Sequence, residues 1–274
     1  MIVKKDIQLL DKRKIPALQS LDIRKHAITH TVLYETDLPK CLELPDAGQD
    51  NPYHLFFYMI ARFYYFDNGV LPIPFYYPRK DCYLVEKALS LLPSHFIRLL
   101  ERSSEREDVL LPGCNWKLDF VDEEWIYSYV RDLYKPVWDS VPEPNRTAIY
   151  ISRKSAQKRK VLEEEDLVPQ MKQLGISSYE LEGMTFEDQI RLFRSAKFVI
   201  GPHGAGLTWL IFCRPGTVVC EICPTLEGHR HFLHMSSKLD LKHYVYTRCT
   251  FESDNIRLDD KKHFVDTLQA LQSF

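Results

Sequence analysis

A regular alternation of short apolar runs with amphipathic segments, between residues 148 and 222, constrains the fold most. The apolar runs predict strands at Ala148–Ile151, Tyr179–Leu181, Lys197–Ile200 and Thr217–Ile222. The segments between them predict helices at Glu163–Leu174, Phe186–Ser195 and Leu207–Cys213. Strands that alternate with helices in this way form a parallel sheet with helices on both faces. We therefore predict an α/β domain with a Rossmann-like sheet in this half of the chain.

A proline-rich stretch separates this region from the residues before it. Pro136, Pro142 and Pro144 mark a linker, and 274 residues are enough for two domains of ordinary size. We predict a less regular α/β domain over residues 1–140 and a Rossmann-like domain over residues 141–258. An amphipathic helix over residues 259–274 closes the chain, with packing back onto the first domain as one option.

The overall composition argues against several classes of partner. Lysine and arginine total 36 against 38 acidic residues, a formal charge of -2, which gives no basis for electrostatic binding to nucleic acid. No run of about 18 apolar residues predicts a membrane span. The N-terminal residues lack the apolar region of a signal peptide. We therefore expect the seven cysteines to be reduced thiols in the cytoplasm.

A glycine-rich turn, Gly201-Pro202-His203-Gly204-Ala205-Gly206-Leu207, follows the third predicted strand. Glycine lets the backbone approach a ligand closely, and the N–H groups at the start of the next helix attract phosphate. The glycine spacing differs from the dinucleotide fingerprint, and no Walker loop occurs. His203 adds a ring able to hydrogen-bond a phosphate or sugar oxygen. The turn predicts an anion site, and a purely structural turn is the alternative.

Two segments before this turn supply further candidate contacts. The first predicted strand delivers Arg153 at its carboxyl end, where a guanidinium can bind a diphosphate through two parallel hydrogen bonds. Lys158 follows in a basic run that a solvated loop also explains. The turn at residues 182–184 leads into a helix with Thr185 as its predicted N-cap. We expect that turn to face a nucleotide base, mostly through backbone groups.

Four motifs, in this order and spacing, resemble glycosyltransferase family 61 over about residues 147–225. They are Tyr-Ile-Ser-Arg-Lys, Leu-Glu-Gly-Met-Thr-Phe-Glu-Asp-Gln-Ile, Ala-Lys-Phe-Val-Ile-Gly-Pro-His-Gly-Ala-Gly-Leu-Thr and Pro-Gly-Thr-Val-Val-Cys-Glu-Ile. In the first half, Asn51-Pro52-Tyr53-His54 resembles the family's Asn-Tyr-x-His helix start. The family includes plant xylosyltransferases, animal protein-glycan N-acetylglucosaminyltransferases and bacterial capsule-type enzymes.

The resemblance implies a GT-B fold, in which an acceptor-side domain and a nucleotide-sugar-binding domain, both Rossmann-like, face a cleft. It implies an inverting transferase that moves a sugar from a UDP-sugar to the hydroxyl of an oligosaccharide or glycan, with xylose favoured and N-acetylglucosamine next. No cofactor is firmly implied. A divalent metal is possible but not required, and no metal ligand is assigned. Animal and plant members usually carry a membrane anchor, whereas this sequence predicts no membrane span. We therefore expect a cytosolic enzyme of a bacterium or of a virus-infected cell.

Carried over position by position, the resemblance assigns the donor site. The positions that it places around the diphosphate are Arg153, His203, Gly204, Ala205, Gly206 and Leu207. Lys158, from the basic run, is a further candidate there. Those expected near the base or ribose are Glu182, Gly183, Met184 and Glu221. One departure is Trp209, which stands where the family commonly has Asn, so a donor contact by that side chain is left open.

An inverting transferase needs a general base for the acceptor hydroxyl and positive groups or dipoles against the leaving diphosphate. His54 is the first candidate base because it opens a predicted helix after an Asn-Pro turn. A histidine satisfied within an aromatic core is an equal alternative. Asp119 and Asp122, with the neighbouring Glu123 and Glu124, offer a carboxylate instead.

Two other functional classes stay open. A structural zinc protein is suggested by a cluster of possible ligands, which are Cys213, Cys220, Cys223, His229, His231 and His234. Against it, Cys220 and Cys223 are three residues apart around a predicted strand, where such positions point to opposite faces. A non-catalytic nucleotide- or sugar-binding module would keep the glycine turn and lack the base.

Overall fold

The computed structural model describes residues 42–43, 51–63, 75–76, 83–92, 124–141, 147–225, 227 and 230–274. The chain forms two compact units, Met1–Leu133 and Tyr134–Phe274. The candidate bases Asp119 and Asp122 and the possible zinc ligand His229 lie outside the described residues. No helix in the described part of the chain is long and apolar enough to cross a membrane.

The first unit contains a helical segment, α1, over residues 52–63. It begins as an α-helix at Pro52–His54, continues as a π-helix at Leu55–Met59 and ends as a 3₁₀ helix at Ile60–Phe63. Asn51 caps this segment, because its side chain accepts a hydrogen bond from the Tyr53 N–H at 2.9 Å.

The other described elements of this unit are two helices and a short pair of parallel strands. They are β1 (Leu42–Glu43), β2 (Phe75–Tyr76), α2 (Tyr83–Ser90) and α3 (Glu124–Leu133). The aromatic ring of Phe57 lies edge-on to Tyr127 at 5.8 Å, so α1 and α3 pack together through aromatic side chains.

The second unit is built around a parallel sheet of five strands in the order β4-β3-β5-β6-β7. The strands are β3 (Thr147–Ile151), β4 (Ile176–Tyr179), β5 (Ala196–Pro202), β6 (Val218–Ile222) and β7 (Lys242–Tyr246). The predicted parallel α/β sheet is confirmed. The fifth strand, β7, was not predicted.

Helices connect these strands, and an antiparallel hairpin precedes the last helix. The helices are α4 (Lys135–Trp138), α5 (Glu164–Gln173), α6 (Phe186–Ser195), α7 (His231–Lys238) and α8 (Lys261–Leu271). Two 3₁₀ helices occupy Leu181–Gly183 and Ala205–Phe212. The hairpin pairs β8 (Cys249–Glu252) with β9 (Asn255–Leu258).

Both faces of the sheet are buried at its three central strands, β3, β5 and β6. On one face, alternate residues of the central strands, such as Tyr150, Ile200 and Cys220, share a core with side chains of α5 and α8. On the other face Ile149, Val199 and their neighbours are also fully buried. Strands covered on both sides are apolar at nearly every position, which is why the sequence shows them as continuous apolar runs.

Two details differ from the predicted elements. The strand predicted at Tyr179–Leu181 begins at Ile176, directly after Gly175, whose φ of 73° ends α5. The helix predicted at Leu207–Cys213 is a 3₁₀ helix that starts earlier, at Ala205. The closing helix is confirmed at Lys261–Leu271, and its apolar side chains lie in the core of the second unit.

Candidate functional site

The carboxyl ends of β3 and β5 lie side by side, at the point where the order of the strands in the sheet reverses. From β3 the chain crosses to β4 on one side and returns to β5 on the other. Open α/β sheets bind ligands in the crevice outside such a switch point. Arg153 follows β3 by two residues, and the glycine-rich turn begins with the last two residues of β5, Gly201 and Pro202. The topology therefore brings these two predicted segments together.

Arg153 lies directly against Gly204. A Cβ atom on residue 204 would stand 2.5 Å from Nη1 of Arg153 and 3.0 Å from its Cζ. The φ of Gly204 is 165°, an extended value open to any residue, so the constraint is space and not backbone strain. Only glycine at this position leaves the guanidinium against the backbone of the turn.

The other two glycines of the turn pack against the end of β3 and, at Gly206, against Leu181 as well. A Cβ on Gly201 would lie 3.2 Å from Cβ of Ile151, and one on Gly206 would lie 3.2 Å from Cδ1 of Leu181. Both distances are tighter than ordinary van der Waals contact. The glycines therefore let the turn sit close to β3 and the 3₁₀ helix Leu181–Gly183.

The helix that follows the turn leaves the backbone N–H groups of its first residues without a partner inside the helix. In the 3₁₀ helix Ala205–Phe212 the first internal bond runs from the Leu207 N–H to the Gly204 carbonyl at 2.9 Å. The N–H groups before Leu207 have no acceptor within that helix. Such N–H groups, with the helix dipole behind them, favour an anion.

The Arg153 guanidinium is held in place by its own loop. Its Nε and Nη2 donate to the carbonyl of Lys158 at 3.3 and 3.2 Å. Burial, and then the nearby charge of Arg159, lower the pKa of Arg153 from its usual value. The Lys158 ammonium is exposed and pairs with Asp254 at 3.0 Å. Lys158 therefore contributes to this arrangement through its carbonyl oxygen.

A buried carboxylate supports the loop that carries Arg153. Glu164, at the start of α5, accepts hydrogen bonds from Tyr150 at 2.9 Å and from the hydroxyl of Ser152. The Ser152 oxygen in turn accepts the N–H of Lys154 at 3.2 Å. The residues on both sides of Arg153 are thus tied to one buried acid.

His203, Glu221 and His243 form a second buried cluster, on the strands next to the turn. Nδ1 of His203 makes a hydrogen bond to Oε1 of Glu221, and Nε2 of His243 lies 2.9 Å from Oε2. Nδ1 of His243 lies 2.6 Å from the Ser236 hydroxyl. The Glu221 side chain is 0% exposed and the two imidazoles are 3% and 2% exposed.

Glu221 is a carboxylate held between two imidazoles. Burial favours its neutral form, but the hydrogen bonds and charges of His203 and His243 outweigh burial and lower the pKa of Glu221. Both of its oxygens face a histidine nitrogen. Glu221 was expected near a base or ribose, whereas the structure places its carboxylate behind His203, away from solvent.

Helix α7 covers this cluster with two of its side chains. The ring of Phe232 lies 5.2 Å from that of His203, and Ser236 reaches His243. Residues four apart share one face of a helix, so α7 packs against both histidines at once. The ring of His231 also lies 5.4 Å from that of His203.

The turn expected near the nucleotide base is exposed at Glu182 and Gly183. Gln189 fixes the turn by donating to the carbonyls of Leu181 and Met184 at 3.1 and 3.2 Å. Thr185 caps α6 as predicted, because its hydroxyl accepts the Asp188 N–H at 3.1 Å.

Two residues singled out in the sequence have distinct surroundings. Trp209 is 1% exposed and packs edge-on to Phe186 at 5.1 Å, so its indole belongs to the core of the second unit. His54 is partly buried in α1, with its ring 6.3 Å from that of Tyr53.

One group of possible metal ligands occurs among the described residues. The ligand atoms of His203, Glu221 and Cys223 lie within 4.8 Å of one another, and nitrogen, oxygen and sulfur ligands suit zinc. However, the Cys223 thiol donates to the Thr225 carbonyl at 2.9 Å, and burial raises its pKa. Both features favour a protonated thiol, whereas zinc binds the thiolate. Of the possible zinc ligands suggested by the sequence, this group contains Cys223 alone.

Comparison with known proteins places the chain in a family. A family described as Glycosyltransferase 61 matches residues 36–220. The EGF domain-specific O-linked N-acetylglucosamine transferase of Canis lupus familiaris is 29% identical over 127 residues, 44% of this chain and 23% of that protein. Beta-1,2-xylosyltransferase RCN11 of Oryza sativa subsp. japonica is 38% identical over 62 residues, 23% of this chain and 12% of that protein.

These relatives are much longer than the segments that match. The chain spans less than a quarter of the length of either relative. The family match, in contrast, covers more than half of this chain and includes both the Arg153 loop and the glycine-rich turn. The chain therefore belongs to glycosyltransferase family 61.

Proposed function

We propose that the protein is a glycosyltransferase that binds the diphosphate of a UDP-sugar between Arg153 and the turn at residues 201–207. The single observation that carries the proposal is the placement of the Arg153 guanidinium against Gly204 at the switch point of the parallel sheet. The Arg153 guanidinium lies against Gly204 there, and the helix-start N–H groups and His203 belong to the same turn. They are groups that bind phosphate oxygens in proteins.

This arrangement suits the stabilisation of a leaving group. When the sugar leaves, negative charge develops on the diphosphate. Fixed donors aimed at developing charge lower the barrier, because they need no reorganisation during the reaction. Arg153, the amides of Gly204, Ala205 and Gly206, and His203 are proposed to supply them. The Leu207 amide, also expected at the diphosphate, already donates to the Gly204 carbonyl. The turn at residues 182–184 is proposed to meet the base or ribose.

The remaining parts of the proposal rest on the family resemblance. They comprise a GT-B arrangement of two domains, inversion at the anomeric carbon and a base from the first unit. His54 is the proposed base. Xylose is the favoured donor sugar, followed by N-acetylglucosamine, in keeping with the names of the two relatives. The acceptor is proposed to be a glycan hydroxyl.

The first test measures UDP binding by isothermal titration calorimetry. Arg153→Gln removes a charged donor and is expected to weaken UDP binding roughly 10- to 100-fold, the range for hydrogen bonds to charged groups. Arg191→Gln is the matched control, because Arg191 is exposed on α6 and pairs with Asp188. Wild-type protein that binds no UDP, or equal affinity in both variants, would contradict the proposal.

The second test measures transfer. The protein is incubated with UDP-xylose or UDP-N-acetylglucosamine and a panel of oligosaccharides, and product linkage is read by NMR. Inversion predicts a product of opposite anomeric configuration to the donor. Full activity in His54→Gln would remove His54 as the base. UDP binding without transfer to any acceptor would instead support a non-catalytic binding module.

A further inference from the structure

Four side chains form a continuous buried chain of hydrogen bonds behind the glycine-rich turn. The chain runs from Ser236 on α7 to His243 on β7, then to Glu221 on β6 and finally to His203 in the turn. The carboxylate and both imidazoles are almost completely buried, and Ser236 is 0% exposed. The proposed nucleotide contacts account for His203 and leave the roles of His243 and Ser236 open.

The chemistry of these four side chains determines which ring nitrogen of each histidine carries a hydrogen. An ionised carboxylate only accepts hydrogen bonds, and the lowered pKa of Glu221 keeps it ionised at neutral pH. The nitrogens that face it, Nδ1 of His203 and Nε2 of His243, must therefore each carry a hydrogen. The Ser236 hydroxyl can then donate to Nδ1 of His243, which keeps that ring in one tautomer.

The register of the sheet explains why His243 can reach Glu221. His243 pairs with Val219 on β6, and Val219 and Glu221 point to the same face because they are two residues apart on a strand. His243 thus projects from the same face of the sheet as Glu221, and its partner Val219 lies two residues before Glu221. Helix α7 then holds both imidazoles, through Phe232 on His203 and Ser236 on His243.

We propose that Ser236 and His243 are positioning residues, which orient Glu221 so that it accepts the Nδ1 hydrogen of His203 and directs Nε2 of His203 toward a bound diphosphate, to which Nε2 donates once it also carries a hydrogen. The proposal rests on the proposed function for its ligand. The residues transfer no proton in this role. Their effect is to hold the His203 ring in one orientation and one tautomer before a ligand arrives, which reduces the cost of ordering it on binding.

The test uses the full chain and begins without nucleotide. Two-dimensional ¹⁵N–¹H NMR of the imidazoles distinguishes a protonated ring nitrogen from an unprotonated one. Wild-type protein is expected to show hydrogens on Nδ1 of His203 and Nε2 of His243. Ser236→Ala is expected to shift the signals of both rings, Ser236→Thr to restore them, and Ser237→Ala, an exposed neighbour on α7, to leave them unchanged.

Calorimetry with UDP then measures the consequence for binding. Ser236→Ala is expected to weaken UDP binding about fivefold, the effect of losing one neutral hydrogen bond. His243→Leu removes a donor to a buried carboxylate and is expected to weaken UDP binding roughly 10-fold or more. His243→Gln keeps a side-chain N–H and is expected to recover most of that loss. A purely structural role for these residues would not produce rescue by the hydrogen-bonding variants.

The outcomes separate this proposal from the proposed function. If wild-type protein binds no UDP, the proposed function fails, and the NMR signals alone decide whether Ser236 controls the His203 tautomer. If Ser236→Ala matches Ser237→Ala in both measurements, the positioning role is wrong. Stoichiometric zinc bound by His203 and Glu221 in purified protein would also overturn it, because a metal would then take the place of the hydrogen on Nδ1 of His203.

Discussion

The Arg153 guanidinium occupies the space that a side chain on residue 204 would need. Two hydrogen bonds to the Lys158 carbonyl hold it there, and Glu164 fixes the serine before it. The position of one cationic group is therefore set by a missing Cβ, a carbonyl and a buried acid. Each of these can be changed separately.

Gly204→Ala is predicted to push the guanidinium away from the turn and to weaken UDP binding roughly 10-fold, the lower end for a hydrogen bond to a charged group. The fold should survive, because the clash involves the end of a flexible side chain and φ at Gly204 is open to alanine. Calorimetry on the single variants and on the double variant with Arg153→Gln checks the mechanism. The two changes should be strongly non-additive; full additivity would show that Gly204 acts independently of Arg153.

Glu221 should make the stability of the protein depend on pH in the acid range. Its pKa in the folded state is lowered from the usual 4.5, so its contribution is present above about pH 4.5 and is lost as the pH falls through the folded pKa. Glu221→Gln is predicted to reduce the free energy of unfolding by about 2 kcal/mol at pH 7. In urea titrations between pH 7 and pH 3, the difference in free energy of unfolding between wild type and Glu221→Gln should become smaller below pH 4.5. A constant gap would contradict the assignment.

Local signals in the sequence define most element boundaries in the second unit. Thr185 begins α6, and Gly175 ends α5 immediately before β4. Caps and left-handed glycines depend on a few neighbouring residues, so the sequence reveals them. The strand β7 and the helix α7 were missed, although Leu241-Lys242-His243-Tyr244-Val245-Tyr246 carries the aromatic and β-branched residues typical of a strand.

Gly175→Ala is predicted to destabilise the junction of α5 and β4 by about 1 kcal/mol, because alanine is strained at a φ of 73°. No neighbouring atom would meet the new methyl group, so the effect is purely conformational. Gly183→Ala is the matched control, since that position also has open space and no positive φ. Thermal melting should show a lower midpoint for Gly175→Ala only. Equal midpoints for the two variants would refute the strain argument.

At the scale of the whole molecule, the second unit has its own core. Side chains from both faces of the sheet, the hairpin and α8 are buried within residues 134–274. Arg153, the glycine-rich turn and the Ser236–His203 chain all lie in this unit. The proposed donor site therefore belongs to one compact part of the chain, while the proposed base His54 belongs to the other.

A fragment of residues 134–274 is predicted to fold cooperatively and to bind UDP within about tenfold of the full chain, while showing no sugar transfer. Circular dichroism melts and calorimetry measure the first two properties, and the transfer assay measures the third. The fragment carrying Arg153→Gln serves as the control for specific binding. A fragment without a cooperative transition would show that the second unit depends on the first.

The sequence by itself determined the parallel α/β sheet, the glycine-rich turn after β5, the arginine after β3 and several caps. All of these depend on local periodicity or on residues close in the chain. The four motifs also indicated the family. Only the tertiary structure decided that Arg153 fills the space beside Gly204, that Glu221 is buried between two histidines and that Ser236 completes the chain. Those contacts join residues that are far apart in sequence, and they arise from strand register and from helix packing, which no short segment encodes.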